Sequence, residues 1–205
     1  MRVIGTEAEL REVVSEPPAA IADKAIDHVD EESGRFIAAS PLFLLATSAA
    51  DGTVDVSPRG DPPGSVVVLD ERTLVFGDRK GNHRLDSMRN ILTNPQVGML
   101  FLIPGIGDVI RVNGRARIVA EADWLPRLTV QGSTPALAVE VTVEELFLHC
   151  SKAVARSAVW DTATWPARTA VPSAGTIVRS QHPTVNVPAK VIDAALASDA
   201  ELNRY

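Results

Sequence analysis

The sequence predicts a mainly β fold with flanking helices, its antiparallel sheet of about six strands closing on itself. Three observations carry that reading. From Pro41 onward, apolar segments of strand length recur at short spacing, separated by turn signals. A single helix is inserted among them, marked by Leu85, Met88, Ile91 and Leu92 at helical spacing. Strands do not alternate with helices throughout, as a doubly wound sheet requires, and both G-x-G-x-x-G and the P-loop pattern are absent.

Residues 1–40 read as helical. Thr6 and Glu9 form an S/T-x-x-E capping box ahead of a short helix that ends before Pro17-Pro18. A second helix is expected from about Ala19 to Ser40, with Ile21, Ile26, Val29, Phe36 and Ile37 on its apolar side. Its acidic residues Asp27, Asp30, Glu31 and Glu32 read as a solvated face. Leu42–Thr47 and Thr53–Ser57 flank Asp51-Gly52, a hairpin signal. Pro58–Gly64 is too rich in Pro and Gly for regular structure. Ser65–Leu69 and Thr73–Phe76 are the next strands.

A polar loop, Gly77-Asp78-Arg79-Lys80-Gly81, leads to the inserted helix, with Asn82 at the N-cap position and Asn94-Pro95 as the stop. Val97–Ile103 and Val109–Val119 follow as strands, and Gly114 inside the second suggests a bulge or a close backbone approach. Ala122–Leu128 looks helical and Ala136–Val143 alternates as a strand. Glu144–His149 is expected to enter a helix running towards Trp160. Four prolines interrupt the stretch from Asp161, and Lys190–Asn203 suits a last helix. No repeat or linker divides the chain, so 1–205 reads as one domain, with 1–40 a helical extension and 161–205 a tail.

Among the 205 residues, 45% are apolar and 22% charged, an ordinary globular balance. The net charge of −6 argues against a general nucleic-acid binder. No apolar run approaches the roughly 20 residues a membrane span needs. The N-terminus lacks a signal peptide's apolar core. One cysteine, Cys150, allows no internal disulfide and fits a reducing compartment, so a soluble, cytoplasmic protein is expected. The histidines His28, His83, His149 and His182 show no metal-ligand spacing. His149-Cys150 invites a catalytic-thiol reading, but adjacency in sequence does not bring the two side chains together, and cysteines are most often buried.

The loop before the inserted helix is the sharpest signal. Cations in a helix's first turn oppose its dipole. His83 and Arg84 lie there, with Arg79 and Lys80 just ahead, and a bound phosphate would account for them. A solvated basic face is the plain alternative.

Phe76–Arg84, ahead of Asn94-Pro95 and an apolar strand, resembles the pyridoxamine 5′-phosphate oxidase-like flavoproteins. Their strand ends in an aromatic-Thr-x-x-(G)-S-x-K loop around the flavin mononucleotide (FMN) phosphate. Val112-Asn113-Gly114-Arg115-Ala116 matches their V-x-G-x-A hairpin, and the similarity spans Pro41 to Val119. Within the family, Pro58–Asp61, Gly81–Asp86 and His149–Ser157 resemble the P-R-G-D, G-N-x-R-L-D and H-C-x-K-A-x-x-R-S motifs of probable FMN-dependent enzymes.

The resemblance implies an FMN-binding split β-barrel and a homodimer with cofactor sites at the interface. By position, Asn82 takes the family's Ser place and Arg84 its Lys place at the phosphate, and arginine can grip two phosphate oxygens. His83 stands where some members carry a second basic residue, although a surface histidine would look the same. Asp78 falls in the Thr position and, as an acceptor, suits a ribityl hydroxyl or ring N–H. Arg59 matches the preceding strand's arginine, and its flanks Ser57 and Gly60 let backbone N–H groups approach the flavin edge. A loop ion pair with Asp61 is the other reading of Arg59. Lys152 and Arg156, spaced i, i+4, are candidates for the pocket rim, from the partner subunit, or else surface charges facing Glu144, Glu145 or Asp161. Trp160 reads better as core than as a stacking partner.

The true oxidases' C-terminal arginine–tryptophan pair is missing from Pro166–Tyr205. The implied function is an FMN-dependent oxidoreductase on a small molecule, with no catalytic acid or base named. The alternative is a non-catalytic module holding FMN, haem or a deazaflavin.

Overall fold

The computed structural model describes residues 1–205. Seven antiparallel strands form one sheet in the order β2-β1-β5-β6-β7-β4-β3. They are β1 (Leu42–Ser48), β2 (Val54–Gly60), β3 (Val66–Asp70), β4 (Thr73–Gly77), β5 (Gln96–Leu102), β6 (Val109–Val119) and β7 (Ala138–His149). The helices are α1 (Glu7–Arg11), α2 (Ala19–Ala22), α3 (Glu31–Ala39), α4 (Asp86–Thr93), α5 (Lys152–Ser157), α6 (Ala174–Gln181) and α7 (Ala189–Leu202). No helix is long and apolar enough to cross a membrane.

The sheet curls but does not close, which corrects the closed sheet expected from the strand pattern. Phe43 of β1 and Phe76 of β4 are separated in the sheet by three strands, yet their rings meet edge to face at 5.0 Å. Phe43 also lies 5.3 Å from Phe101. Around them, Leu45, Leu74, Met99, Val112, Val139 and Val141 complete a buried core. β2 and β3 remain edges because no ladder joins them. The segment between them is occupied by Pro62-Pro63 and by Gly64, whose N–H donates to Ala38 of α3 at 2.6 Å.

The curl depends on the long central pair. β6 and β7 run side by side with a register shift between Asn113 and Gly114, where Val143 faces Gly114 and Glu145 faces Asn113. This is the bulge suggested by Gly114: one extra residue on β7 bends the ladder and raises its twist. An added Cβ at Gly114 would sit 2.1 Å from the Thr142 carbonyl oxygen.

Several boundaries differ from the sequence reading, most because long-range pairing took the backbone groups. The helix expected over 19–40 is broken. Ile26 exchanges two hydrogen bonds with Leu146 of β7, at 2.9 and 2.7 Å, and the Val29 N–H donates to Glu71 at 2.7 Å. Asp30 then caps α3 by accepting from the N–H groups of Glu32 and Ser33. Pro58 and Arg59 prove to be strand: β2 continues to Gly60, and Pro58 opposite Leu44 is tolerated because β2 is an edge.

β7 runs on through Glu144–His149 where a helix was expected, and only the short α5 follows. Ala122–Leu128 contains a single 3₁₀ turn, Leu125–Leu128, with Leu128 buried against Val75 and Ala138. The Thr6–Glu9 capping box is present as read. α6 carried no sequence signal; it packs on α7, where Gly175 lets the Ala189 backbone approach closely and its N–H donates to Asp193 at 2.7 Å.

Candidate functional site

Strand β2 shows a period-two pattern with its polar residues turned inward. Asp55, Ser57 and Arg59 are half-buried while Val54, Val56 and Pro58 are exposed. The inward row meets α4, which packs inside the curl with Met88 and Ile91 buried and Asn90 donating to Thr47 at 3.0 Å. Ser87, only 3% exposed, donates to Asp55 at 2.6 Å and shares a 3.1 Å hydrogen bond with Ser57. Arg59 donates through Nε to Ser57 at 3.3 Å and through Nη1 to Asp78 at 3.0 Å.

The loop after β4 supplies the opposite wall. Gly77 is required there, since a Cβ would lie 2.8 Å from the Pro135 ring. The Asp78 N–H donates to Leu137 at 2.8 Å, tying this loop to the one at 133–137. Arg79 is largely enclosed: Nε donates to Asp61 at 2.7 Å and Nη2 to the Leu128 carbonyl at 2.8 Å. Its Nη1 is buried with no partner.

The inserted helix does not begin at Asn82. Leu85, with φ 58°, is the N-cap, and α4 starts at Asp86. Asn82 instead accepts from the Arg84 N–H at 3.0 Å, closing a local turn. His83 and Leu85 both adopt positive φ, 59° and 58°. For Leu that conformation is strained by about 1–2 kcal/mol. His83 and Arg84 are therefore loop residues ahead of the helix, not members of its first turn. The helix N-terminus is already met by Asp86, whose carboxylate accepts from Arg84 Nε at 2.8 Å. That hydrogen bond, with the attraction of the two charges, holds the Arg84 guanidinium above its ordinary pKa.

Between the walls lies a cleft of about 530 Å³ lined by Ser57, Arg59, Asp78, Asn82, His83 and Arg84, together with Asp55, Arg79, Lys80, Ser87, the 133–137 loop and Tyr205. A second cleft of about 360 Å³ adjoins it and adds Gly60, Phe43 and Phe76. The two share Arg59, Arg79, Lys80, Gly81 and Tyr205. Seven of the nine residues singled out from the sequence thus converge on this groove.

Lys152 and Arg156 do not. They lie exposed on α5, beyond the end of β7, outside both of these clefts. Nearby, Lys24 and Arg111 each lie over the Phe147 ring, at 4.3 and 4.1 Å. Burial lowers the His149 pKa, and the charges of Arg111 and Lys24 add to the effect. Cys150 is exposed and free rather than buried. Trp160 is half-buried and donates to the Ile106 carbonyl at 2.8 Å.

The local partners of the arginines also differ from the sequence reading. Arg59 pairs with Asp78, and Asp61 pairs with Arg79. Sequence reasoning passed over Asp55, Ser87 and Tyr205 as site residues. For Asp55 the available signal was the odd-numbered polar row on β2; nothing in the sequence pointed to Ser87 or Tyr205.

A family model described as pyridoxamine 5′-phosphate oxidase matches residues 29–150, more than half of the chain. The chain belongs to the pyridoxamine 5′-phosphate oxidase family. That match covers the whole sheet and both walls of the groove apart from Arg204 and Tyr205, and leaves α6 and α7 outside it. Among solved structures, HupZ of Group A Streptococcus is similar at 20% identity, over 60% of this chain and 95% of that one, with a TM-score of 0.50. A protein related to general stress protein 26, from Clostridium acetobutylicum, is 12% identical over 58% of this chain and 86% of that one, TM-score 0.42. HutZ, the heme storage protein of Vibrio cholerae, is 18% identical over 60% and 94%, TM-score 0.39. The first of these likenesses supports the fold. A comparison with curated proteins finds no match.

The family's usual cofactor can be tested against these residues. FMN brings a dianionic ester, hydroxyls and a planar ring, and needs cations, acceptors and an apolar wall. Arg79 Nη1 is a buried donor without an acceptor, and Lys80 has no carboxylate partner. Phe43, Phe76 and Val66 wall the second cleft. The residues fit the group.

Proposed function

We propose that the chain is an FMN-dependent oxidoreductase of the pyridoxamine 5′-phosphate oxidase-like type, acting on a small molecule, with residues 1–205 forming one flavin-binding unit. The observation that carries this reading is the orphaned, buried Nη1 of Arg79 in the wall common to both clefts. A buried donor left unpaired is costly, and an anionic oxygen would satisfy it. When bound, FMN supplies the hydride or electron chemistry. The chain's own part is binding and orientation. Lys80, Asn82, His83 and Arg84 would hold the phosphate end, and Arg59 is held in place by Asp78. Ser57 and Gly60 offer hydrogen-bonding groups along β2, and the second cleft takes apolar surface.

The competing reading is a non-catalytic carrier or sensor of FMN, haem or a deazaflavin. His83 and Tyr205 are the groove's two side chains of a type that ligates haem iron. Releasing the small molecule from purified protein, identifying it by mass spectrometry and recording the absorption spectrum decides between these ligands. FMN, bleached by NADH or NADPH and reoxidised by air, is the expected result. Bound haem, or a flavin that no reductant reaches, would overturn the enzyme reading.

A homodimer belongs to the same proposal, since members of this family are generally dimeric. Support comes from the outer face of the β2 side of the sheet. Val54 and Val56 are 67% and 58% exposed, and Leu44, Ala46 and Leu100 beside them are half-buried. The inner face of β2 lines the cleft, so a second copy on the outer face would brace the strand that carries Ser57 and Arg59. Lys152 and Arg156 would take part only through such a copy. Val54→Asp/Val56→Asp is expected to convert a dimer to a monomer in sedimentation and to lower cofactor content. A monomeric parent protein would remove the dimer from this proposal.

A further inference from the structure

The hydrogen bonds along the β2 wall have a direction, and it follows from the end groups alone. A guanidinium only donates and a carboxylate only accepts. Arg59 Nε therefore donates to Ser57 Oγ at 3.3 Å, and Ser87 Oγ donates to Asp55 at 2.6 Å. Either serine could donate in the 3.1 Å bond between them, but the single Ser87 proton is already committed to Asp55. Ser57 must therefore be the donor. The chain runs Arg59 to Ser57 to Ser87 to Asp55, and both hydroxyl protons are consumed inside the protein. Aligned chains of this kind strengthen one another.

We propose that Asp55 and Ser87 are positioning residues that hold Ser57 as a hydrogen-bond acceptor towards the cleft. Ser57 would then select ligand N–H and O–H groups and reject anionic oxygens. This rests on the reading of the cleft as a flavin site. There the wall and the Lys80–Arg84 loop divide recognition: the loop takes the charged ester, and Ser57 takes a ring N–H or a ribityl hydroxyl. Removing the Ser87 hydroxyl frees the Ser57 proton to turn into the cleft; removing the Asp55 acceptor frees the Ser87 proton, so the bond between the serines can reverse and Ser57 again becomes a donor to the cleft.

The test titrates riboflavin and FMN into ligand-free protein, following flavin fluorescence, with thermal unfolding as a check on folding. Ser87→Ala and Asp55→Ala are each expected to weaken both flavins by the same factor, about fivefold for one net hydrogen bond. Asp55→Asn keeps an oxygen that accepts from Ser87 and should recover most of the loss, which a merely structural role would not require. A loss confined to FMN, no loss, or an Asp55→Asn variant as weak as Asp55→Ala would overturn the proposal. If Ser87→Ala fails to fold, the two Asp55 variants carry the comparison. If the parent protein takes up neither flavin, the flavin reading itself fails, and the chain is read without ligand. Neutron diffraction from deuterium-exchanged crystals should show the Ser57 deuteron on the Ser87 side and the Ser87 deuteron on Asp55. Either deuteron pointing into the cleft refutes the assignment.

Discussion

Gly114→Ala should destabilise the protein by about 3 kcal/mol or more, an overpacking penalty at the top of the usual range. The added methyl would lie 2.1 Å from the Thr142 carbonyl oxygen and 3.0 Å from its carbon. Both are backbone atoms of β7, so no side chain can swing aside. Relief requires separating β6 from β7 at their bulge, in the middle of the sheet's longest pair. For a chain of this size the drop in Tm should be about 6–12 °C. Gly98→Ala is the control, since its methyl would meet Asn113 at 3.4 Å and Ala46 at 3.7 Å, ordinary contacts. It should cost less than about 1 kcal/mol. Equal melting temperatures for the two variants would show that the bulge is not a constraint. Loss of the bend should also empty the groove, because β7 pairs with β4 and the Asp78 N–H is tied to Leu137 just ahead of β7.

Reversing the loop's charge, Lys80→Glu with Arg84→Glu, should weaken FMN binding by about 100-fold or more while leaving riboflavin within about threefold. The two flavins differ only in the phosphate, so their ratio isolates the anion contact. Stability should scarcely change. Arg84 is 72% exposed and its partner is the neighbouring Asp86, a surface pair of the kind worth less than about 1 kcal/mol. FMN affinity should also fall as salt rises in the parent protein, and this dependence should flatten in the variant. Equal loss of both flavins would mean that the substitutions had collapsed the loop. No loss of either would move the phosphate elsewhere, with Arg59 and Arg79 the remaining half-buried cations of the groove.

Where the sequence reading failed, it failed at places governed by distant partners. Glu144-Glu145-Leu146 favours a helix locally, yet Leu146 is 2% exposed and hydrogen-bonded to Ile26, with Val112 opposite it on β6. Helix propensity is a few tenths of a kcal/mol per residue and cannot hold against a full ladder. Asn82 has the right chemistry for an N-cap, but its oxygen accepts from Arg84 two residues on, and the chain passes through two left-handed residues before α4 begins. The Pro-rich segment after Ser57 looked irregular because strand propensity does not register that β2 is an edge, where Pro58 leaves no ladder position unsatisfied.

Residue order by itself determined whatever a few neighbouring residues can enforce. The Thr6–Glu9 box, the turn at Asp51-Gly52, the glycine demanded at position 114 and the basic loop ahead of α4 are of this kind. Only the tertiary structure decided which carboxylate faces each arginine, that Ser87 and Asp55 stand behind Ser57, and that Tyr205 reaches the groove from the far end of the chain. The reason is physical: turns and caps are closed by bonds within one or two turns of chain. The directions of buried polar groups are set instead by whichever strand and helix the curled sheet brings against them.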